Sequence, residues 1–365
     1  MSAEERAWQV VRAAFAERPP APPRRRRRTP VALAIAVVVA VAAAFASPPG
    51  QAVFERVREA VGVTRAEPAL FSLPAGGRLL VVSEHGGGVW IVRGNGFKRR
   101  LGAYDDAEWS PHGLYLVATT GHSLVALDED GDVSWTLARP RPTSPRWEGT
   151  FLDTRIAYVD ATGLRVVAGD GTGDHLVDRL GVAPDWDPAR LHTLAYANRR
   201  AVVLRRADGT LVWRRQVGVA PTGLAWSGDG RYLAAFSPHR VVVLDAAGRV
   251  RRTITRLDAQ LRGGAFEPRT HELALELRLS SRSEIQLVDL DRPGHSPLLF
   301  AGPGTFGDLA WAPDGSWLLV TWPAADQWVF LHGGRLRAVA NIRQQFPRAD
   351  GRGPLLRLAG RWCCE

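Results

Sequence analysis

Two short stretches of this chain have residue types that suit ion binding. Residues 128–132 read Asp-Glu-Asp-Gly-Asp, and carboxylates spaced in this way are typical of the start of a calcium-binding loop. Residues 169–174 read Gly-Asp-Gly-Thr-Gly-Asp, and a glycine-rich loop can hold a phosphate through its backbone N–H groups. The first stretch lacks the terminal glutamate of a complete calcium loop, and the second contains no lysine. We therefore interpret both stretches as tight turns.

Histidines are the other candidates for chemistry. His85, His122 and His239 occupy similar places in the repeats described below, but a metal needs ligands that converge near 2 Å from the ion. The repeats that contain His85 and His239 are expected to lie far apart around a ring, so we interpret the three as exposed turn residues. The sequence also lacks G-x-S-x-G, H-E-x-x-H and P-loop motifs. We assign no catalytic residue, no metal ligand and no cofactor, and expect no enzyme activity.

These residues sit on a repeat that is clearest at residues 222–250, TGLAWSGDGRYLAAFSPHRVVVLDAAGRV. Apolar or β-branched runs end at Trp226, Phe236 and Leu244, a polar run follows, and turn residues separate them. This pattern predicts four strands joined by three hairpins.

An aromatic residue at the end of each first strand marks the repeat. The markers are Phe71, Trp109, Trp147, Trp186, Trp226, Phe266 and Trp311, at intervals of 38, 38, 39, 40, 40 and 45 residues. One small twisted sheet cannot bury both faces alone, so four-stranded units of this length stack in a ring. We predict an all-β protein with a seven-bladed β-propeller over residues 69–342. Six or eight blades are the alternatives.

The turns after the markers resemble a known repeat. The stretches AEWSPHGLYLVA, TGLAWSGDGRYLAAF and GDLAWAPDGSWLLV resemble the WD40-like repeats of bacterial TolB-type β-propellers, and the resemblance covers about 270 residues. The Pro-Asp-Gly turn is lost in RWEGTFLDTRIAYV and AFEPRTHELALEL. We expect a non-enzymatic module that binds a protein or a cell-envelope ligand.

The chain before the repeats predicts a membrane anchor. Residues 1–29 carry eight arginines against three glutamates, five of the arginines at 24–28, and residues 31–46 contain no polar side chain. A basic flank stays in the cytoplasm, so we expect a single transmembrane segment over residues 30–47 with the propeller outside. Ala44-Phe45-Ala46 also fits a cleavage site, so secretion after cleavage near Ala46 is the alternative.

The regions beside the anchor suggest further roles. Residues 1–29 form a basic cytoplasmic tail with a short amphipathic helix around Trp8, and residues 48–68 read as a juxtamembrane helix and linker. Because positive charge is concentrated in this tail rather than on the repeats, we exclude nucleic acid as a partner. A transmembrane sensor resembling anti-sigma proteins is an alternative. Trp135 and Trp213, which follow Asp-Gly turns, resemble the docking motif of quinoprotein propellers and leave a quinoprotein-like enzyme as a weaker alternative.

Binding is expected where sequence varies without harm to a ring, namely at the second hairpins and the connections between blades. The candidate contact residues are Tyr104, Asp105, Asp106, His122 and His239.

The C-terminal residues 343–365 are expected to act as a latch that closes the ring. Cys363 and Cys364 are expected to be free or intermolecular thiols, because neighbouring cysteines close only a strained ring.

Overall fold

Short apolar runs separated by turn sequences fold into antiparallel sheets throughout the repeat region. A computed structural model describes residues 66–84, 87–292, 294, 296–346 and 355–364. The predicted tail, the anchor and most of the juxtamembrane segment lie outside these ranges, as does His85. Within them, no helix has both the length and the apolar character that crossing a membrane requires.

The described strands form seven four-stranded sheets, so the prediction of a seven-bladed β-propeller is confirmed. Blade 1 contains β1 (Arg78–Ser83), β2 (Gly88–Val92) and β3 (Lys98–Gly102). Blade 2 contains β4 (Asp106–Trp109), β5 (Tyr115–Thr119), β6 (Ser123–Asp128) and β7 (Val133–Ala138). Blade 3 contains β8 (Thr143–Trp147), β9 (Arg155–Asp160), β10 (Gly163–Ala168) and β11 (His175–Asp178). Blade 4 contains β12 (Gly181–Trp186), β13 (Thr193–Asn198), β14 (Ala201–Arg206) and β15 (Leu211–Gln216).

The remaining blades continue the pattern. Blade 5 contains β16 (Gly223–Trp226), β17 (Tyr232–Ser237), β18 (Arg240–Asp245) and β19 (Val250–Thr255). Blade 6 contains β20 (Gln260–Phe266), β21 (Glu272–Arg278), β22 (Arg282–Asp289) and β23 (Leu298–Pro303). Blade 7 contains β24 (Leu309–Trp311), β25 (Leu318–Trp322), β26 (Gln327–His332) and β27 (Arg335–Ala340). The last strand is β28 (Leu356–Cys363), and two short 3-10 helices span Pro323–Ala325 and Arg343–Gln345.

The hydrophobic core lies between neighbouring blades. The cluster around Trp226, for example, joins Leu204 of blade 4 to Leu233 and Leu244 of blade 5. Middle strands such as β17 and β18 are almost fully buried, whereas the outer strand β19 exposes alternate residues to solvent. The first strands of neighbouring blades contact one another and so form the wall of a central channel.

The ring closes through its two ends, as the latch arrangement requires. Strand β28 pairs antiparallel with β1 and becomes the innermost strand of blade 1. The marker assigned to this blade, Phe71, lies outside every strand and is 67% exposed, so that assignment was wrong. Trp362 of β28 takes the marker position, buried, with its Nε1 donating to the carbonyl oxygen of Gly76 at 3.0 Å. A distant strand supplies the inner edge, which a local pattern does not reveal.

Two other contacts fix the ends of the described chain. Glu67 makes a parallel bridge with Val339 and a bidentate ion pair with Arg337, with both N–O distances 2.7 Å. Cys363 and Cys364 are joined to each other in a disulfide, which corrects the expectation of free or intermolecular thiols. Cys364 has a positive φ of 61°, so the backbone turns sharply where β28 ends and brings the two neighbouring side chains together.

Candidate functional site

One repeat position brings charged side chains into the central channel. It is the residue immediately before each marker aromatic on the innermost strand. In blades 1 to 4 this residue is Arg361, Glu108, Arg146 and Asp185, and in blades 5 to 7 it is Ala225, Ala265 and Ala310. The charges therefore alternate in sign around one half of the channel, and small alanines line the other half.

The charged half is a network across the channel. Glu108 is 2% exposed, and its Oε2 lies 3.8 Å from Nη1 of Arg146 in the next blade. Burial raises the pKa of Glu108, while the charges of Arg361 and Arg146 oppose that rise. The same balance raises the pKa of Asp185. Arg361 and Asp185 belong to blades 1 and 4, which are not neighbours, so their charges interact across the axis.

Bulges in the inner strands place these side chains. The pairing register shifts next to Asp185 in β12, next to Arg146 in β8 and within β28. Each shift contains a residue with positive φ: Ala183 at 50°, Ser144 at 52° and Gly360 at 59°. A bulge inserts an unpaired residue and re-aims the following side chain, which explains how the strand edge presents charge to the channel. At Gly360 a Cβ atom would lie 2.6 Å from Oε1 of Glu108, so the site requires glycine.

A cavity of about 360 Å³ opens at one end of the channel, lined mainly by blades 6, 7 and 1 and also by one residue each of blades 2 and 3. Its acidic lining residues are Asp106, Glu276 and Asp308, and its basic lining residues are Arg146, Arg262 and Arg357. Burial raises the pKa of Glu276 to about 7, with Arg262 opposing the rise and Asp308 adding to it. Burial also raises the pKa of Asp308, although the backbone N–H of Leu358 donates to its Oδ2 at 2.7 Å. The lining thus holds three carboxyl groups and three arginines, and burial raises the pKa of two of the carboxyl groups.

Among the predicted contact residues, Asp106 lines this cavity. Nη1 of Arg357 donates to Oδ1 of Asp106 at 3.0 Å, and its Nη2 donates to the backbone carbonyl of Asp105. The ring of Tyr104 packs against Gly102, where a Cβ atom would lie 2.7 Å from it. Asp105 and Asp106 therefore hold the closing strand β28 against blade 2, while Tyr104 packs against blade 1.

The structure does not bring the predicted histidines to the cavity lining. His122 is exposed in the second hairpin of blade 2, with its backbone N–H donating to Oγ1 of Thr120 at 3.3 Å. His239 lies in blade 5, with Nδ1 at 3.0 Å from the carbonyl oxygen of Ala259 and 3.2 Å from that of Arg256. No group of three or more His, Cys, Asp or Glu side chains in the described part of the chain is arranged to hold a metal ion.

A larger groove of about 1120 Å³ lies on the opposite face, where the first and third hairpins of blades 3 to 5 meet. Its basic lining residues are Arg155, His175, Arg190, His192 and Arg206, and its apolar lining includes Val166, Leu191, Val212 and Trp213. Sequence reasoning placed binding on the other face. The signal for this groove is the density of arginine in blade 4, at positions 190, 199, 200, 205, 206, 214 and 215.

The two candidate ion-binding stretches form third hairpins. In residues 128–132, Oδ1 of Asp128 accepts hydrogen bonds from the backbone N–H groups of Asp130 and Asp132, both at 2.9 Å. Arg78 pairs with Glu129 and Arg99 with Asp130. In the second stretch Arg139, Tyr158 and Arg165 all bind Asp174. The carboxylates are thus engaged within the protein.

Trp135 and Trp213 pin neighbouring blades together. Nε1 of Trp135 donates to the carbonyl oxygen of Gly169 at 3.0 Å, and Nε1 of Trp213 donates to that of Ala246 at 3.1 Å. Each ring lies against a positive-φ glycine, Gly171 or Gly248, where a Cβ atom would lie about 3 Å from the ring. The repeated contact gives both tryptophans a structural role between blades.

Sequence reasoning missed the charged channel position although its signal is visible. The dipeptides ending in the markers read Arg-Trp, Glu-Trp, Arg-Trp and Asp-Trp in blades 1 to 4, and Ala-Trp, Ala-Phe and Ala-Trp in blades 5 to 7. Comparing one repeat position across the blades reveals the change from charge to alanine. The first of these dipeptides becomes visible only when β28 is recognised as part of blade 1.

Comparison with known proteins supports the fold. No known protein family matches the sequence, and no curated protein is significantly similar to it. The C-terminal WD40 domain of Sif2 aligns with a TM-score of 0.56 at 11% identity, over 76% of this chain and 86% of that one. The Cps50 (Swd1) β-propeller domain of Myceliophteria thermophila aligns with a TM-score of 0.52 at 12% identity, over 65% and 85%.

Hydrazine synthase of Kuenenia stuttgartiensis aligns with a TM-score of 0.52 at 17% identity, over 62% of this chain and 75% of that one. Identities this low carry information about the fold alone. Sheet order and these alignments together identify a seven-bladed β-propeller with WD40-like structural neighbours.

Proposed function

We propose that this chain is a membrane-anchored, non-enzymatic binding module, displayed outside the cytoplasm, that docks an acidic segment of a partner protein in the groove across blades 3 to 5. The propeller fold is compatible with a protein-binding module, and the groove is the observation that carries the proposal. It is wide and open, and it combines a basic rim with an apolar floor.

The rim favours an acidic occupant. Arg206 is exposed and forms no ion pair among the described residues, and the acidic residue in the groove lining is Asp208. Arg190 reaches Oδ2 of Asp187 only at 3.8 Å, and its side chain is 41% exposed. Arginine beside tryptophan is the composition that dominates binding energy at protein interfaces. An extended acidic segment would pair with the rim and cover Val212 and Trp213 on the floor.

The groove is rigid enough to bind without a large ordering cost. Oδ1 of Asp208 accepts a hydrogen bond from the backbone N–H of Thr210 at 2.8 Å and fixes the third hairpin of blade 4. Trp213 ties that blade to the next one, and His192 ties it to Glu148 of blade 3 at 2.9 Å. A preorganised surface of this kind loses little entropy on association.

The docking proposal is tested by photo-crosslinking in intact cells. A photoreactive amino acid replaces Leu191, which lines the groove and is 68% exposed, in the full-length chain. The matched control places it at Leu257, which is 85% exposed and lies outside the groove lining. We expect an adduct at 191 alone, carrying a peptide rich in Asp and Glu, that is lost in Arg206→Glu. An adduct that survives this charge reversal, or one that carries no acidic peptide, contradicts the proposal.

The anchor is tested separately by topology. A reporter that is active only outside the cytoplasm, fused after residue 70, is expected to be active, because the arginines at 24–28 hold the amino terminus inside. Replacing these five arginines by glutamate is expected to weaken or scramble the orientation. Cytoplasmic activity of the unmodified fusion excludes the proposed location without affecting the groove.

A further inference from the structure

The cavity at the channel end contains a buried carboxyl group with an unsatisfied oxygen. Glu276 is 4% exposed and lines the cavity, and its Oε1 has no hydrogen-bond partner among the described residues. The corresponding residues of the other blades are Val82, Thr119, Val159, Ala197, Phe236 and Thr321. Blade 6 alone has an acid at this position. A buried carboxylate without a partner is costly, so this position points to a ligand.

A second carboxyl group stands beside it. Asp308 uses one oxygen, Oδ2, to accept the hydrogen bond from Leu358, and its side chain also lines the cavity. The third acid, Asp106, is already paired with Arg357 at 3.0 Å. Among the described residues neither Glu276 nor Asp308 forms an ion pair, although the charge of Arg262 acts on Glu276 and that of Arg357 acts on Asp308. A positively charged group placed between them would satisfy both.

A free cation faces the same space. Arg262 is the extra residue of a bulge in β20, where the register shifts between Leu261 and Gly263. It lines the cavity, is exposed, and makes no hydrogen bond or ion pair with any described residue. Arginine pairs with carboxylates through two parallel hydrogen bonds. The cavity lining therefore contains two carboxyl groups, of Glu276 and Asp308, and one guanidinium group, of Arg262, that form no ion pair with a described residue.

The cavity also has a defined size. Its volume of about 360 Å³ lies at the small end of ligand pockets. Gly263 and Gly264 remove side chains from its wall, and a Cβ atom built on Gly263 meets nothing within 4 Å. The open space is therefore a direct result of a glycine that packing does not require.

We propose that this cavity binds a free, small α-amino acid as its zwitterion, with the ammonium group on Glu276 and Asp308 and the carboxylate on Arg262. The ligand carries two opposite charges a few bonds apart, and the lining offers carboxyl groups for one and a guanidinium group for the other. This site is separate from the groove on the other face and goes beyond the proposed docking function. A failure of either proposal leaves the other standing.

Isothermal titration calorimetry on the full-length chain in nanodiscs tests the ligand class. The probes are glycine and serine, and the comparators are N-acetylglycine, which lacks the ammonium group, and glycinamide, which lacks the carboxylate. We expect glycine or serine to bind at least about 10-fold more tightly than either comparator, as expected when one charged pair is lost. Absence of binding by both amino acids, or equal binding of the comparators, overturns the proposal.

Variants then locate the site. Glu276→Gln and Arg262→Gln are expected to weaken binding at least about 10-fold, whereas Glu284→Gln is expected to leave it unchanged. Glu284 is a matched control, since it is 8% exposed in the neighbouring strand and pairs with Arg282 away from the cavity lining.

A cavity-filling variant tests whether the ligand occupies the space beside Gly263. Gly263→Leu is expected to abolish binding while the melting temperature is retained, because its Cβ atom meets nothing within 4 Å. Gly121→Leu, at a second glycine with open surroundings in blade 2, is the control that keeps binding. Retention of binding by a folded Gly263→Leu protein places the ligand elsewhere and overturns the assignment.

Discussion

Blades 1 to 4 and blades 5 to 7 build the two halves of the channel differently from the same repeat position. The first half carries alternating charges, with Oε2 of Glu108 and Nη1 of Arg146 in adjacent blades 3.8 Å apart. The second half carries alanine at this position, and Gly263 and Gly264 of blade 6 line the cavity beside Glu276. The comparison teaches that the markers specify the ring, while the residue before each marker decides which blades bring charge to the channel wall.

Removing the closing strand is expected to have the largest effect, because it abolishes blade 1 of the charged half. Deletion of residues 343–365 takes away β28, with Arg361 and the buried Trp362. We expect loss of a cooperative melting transition in circular dichroism. An unchanged melting curve would show that the ring does not depend on this strand.

The marker tryptophans test whether the two halves share one core. Trp109→Ala in the charged half and Trp226→Ala in the alanine half each remove a large side chain that is 3% or 7% exposed. Each is expected to lower the free energy of unfolding by ~3–5 kcal/mol in chemical denaturation. If one of these variants left the free energy of unfolding almost unchanged, its marker tryptophan would not be a main source of stability in that half.

Replacing Glu276, a residue of the alanine half, by glutamine is expected to stabilise the folded protein at alkaline pH. The folded pKa of Glu276, about 7, lies above the ordinary value of 4.5, so this group contributes stability below pH 4.5 and loses it as pH rises through about 7. Glu276→Gln is therefore expected to raise the free energy of unfolding by up to about 3 kcal/mol at pH 8 and by little at pH 4. Glu284→Gln, with its ion pair to Arg282, is expected to show no such gain. A gain that is independent of pH contradicts the assignment of the raised pKa.

Breaking the charged network of blades 1 to 4 is expected to lower the free energy of unfolding, by less than Glu276→Gln raises it. Arg146→Met removes a cation that offsets both Glu108 and Asp185. Loss of a buried partner costs about 3–5 kcal/mol, but the Arg146 side chain is 36% exposed, so we expect about 2 kcal/mol at pH 8. The loss is expected to shrink at lower pH, where the carboxyl groups become protonated. The control is Arg262→Gln in the alanine half, which breaks no ion pair. It is expected to lower the free energy of unfolding by less than Arg146→Met does.

His271, Asp229 and Asp291 form a clamp between blades 5 and 6. Of the changes considered, removing this clamp is expected to have the smallest effect on stability and the strongest dependence on pH. His271 contacts Asp291 at 2.5 Å and Asp229 at 2.9 Å. Burial alone would lower the pKa of His271, but these two carboxylates raise it. Although burial alone would raise the pKa of Asp229, hydrogen bonds from Arg231 and His271 lower it to about 2. The clamp therefore stabilises fully below pH 6.5, as long as Asp229 stays ionised, and weakens as pH rises through the pKa of the histidine.

The variant His271→Gln is accordingly expected to lower the melting temperature more at pH 5.5 than at pH 9. His239→Gln is the matched control, because the ring nitrogen of His239 contacts backbone carbonyl oxygens instead of carboxylates. Equal losses at both pH values would contradict a charged clamp.

Local sequence signals predicted the strand positions within a blade well, but they did not identify the strand that completes blade 1. In blade 5 the strands begin and end within one residue of the positions expected from the turns around Asp229, Pro238 and Gly248. A tight turn depends on a few adjacent residues, so its sequence is sufficient. The inner strand of blade 1 is a long-range pairing of β28 with β1, and Phe71 was assigned in place of Trp362 because a local period contains no information on which end of the chain closes the ring.

The cavity is harder to predict because residues of five blades line it. Glu276, Asp308 and Arg357 are far apart in sequence and become neighbours only when the ring is closed. Even so, the charge at Glu276 within the otherwise apolar run of β21 is an anomaly that a comparison of aligned repeats detects. The groove across blades 3 to 5 has no such signal beyond its arginine content, since hairpins from separate blades form its walls.

The position of the closing strand also governs the order in which the molecule is built. Val81 pairs with Leu358, which lies 277 residues later in the chain, so the sheet of blade 1 is complete only when β28 is present. Doubling a loop costs only about 0.6 kcal/mol, so the delay affects the rate of folding far more than the final stability. During synthesis the apolar edge formed by Leu79, Leu80 and Val81 stays uncovered until β28 has been made. An unpaired strand edge of this kind is prone to aggregation, whereas an edge that is paired by the next strand in sequence is covered at once.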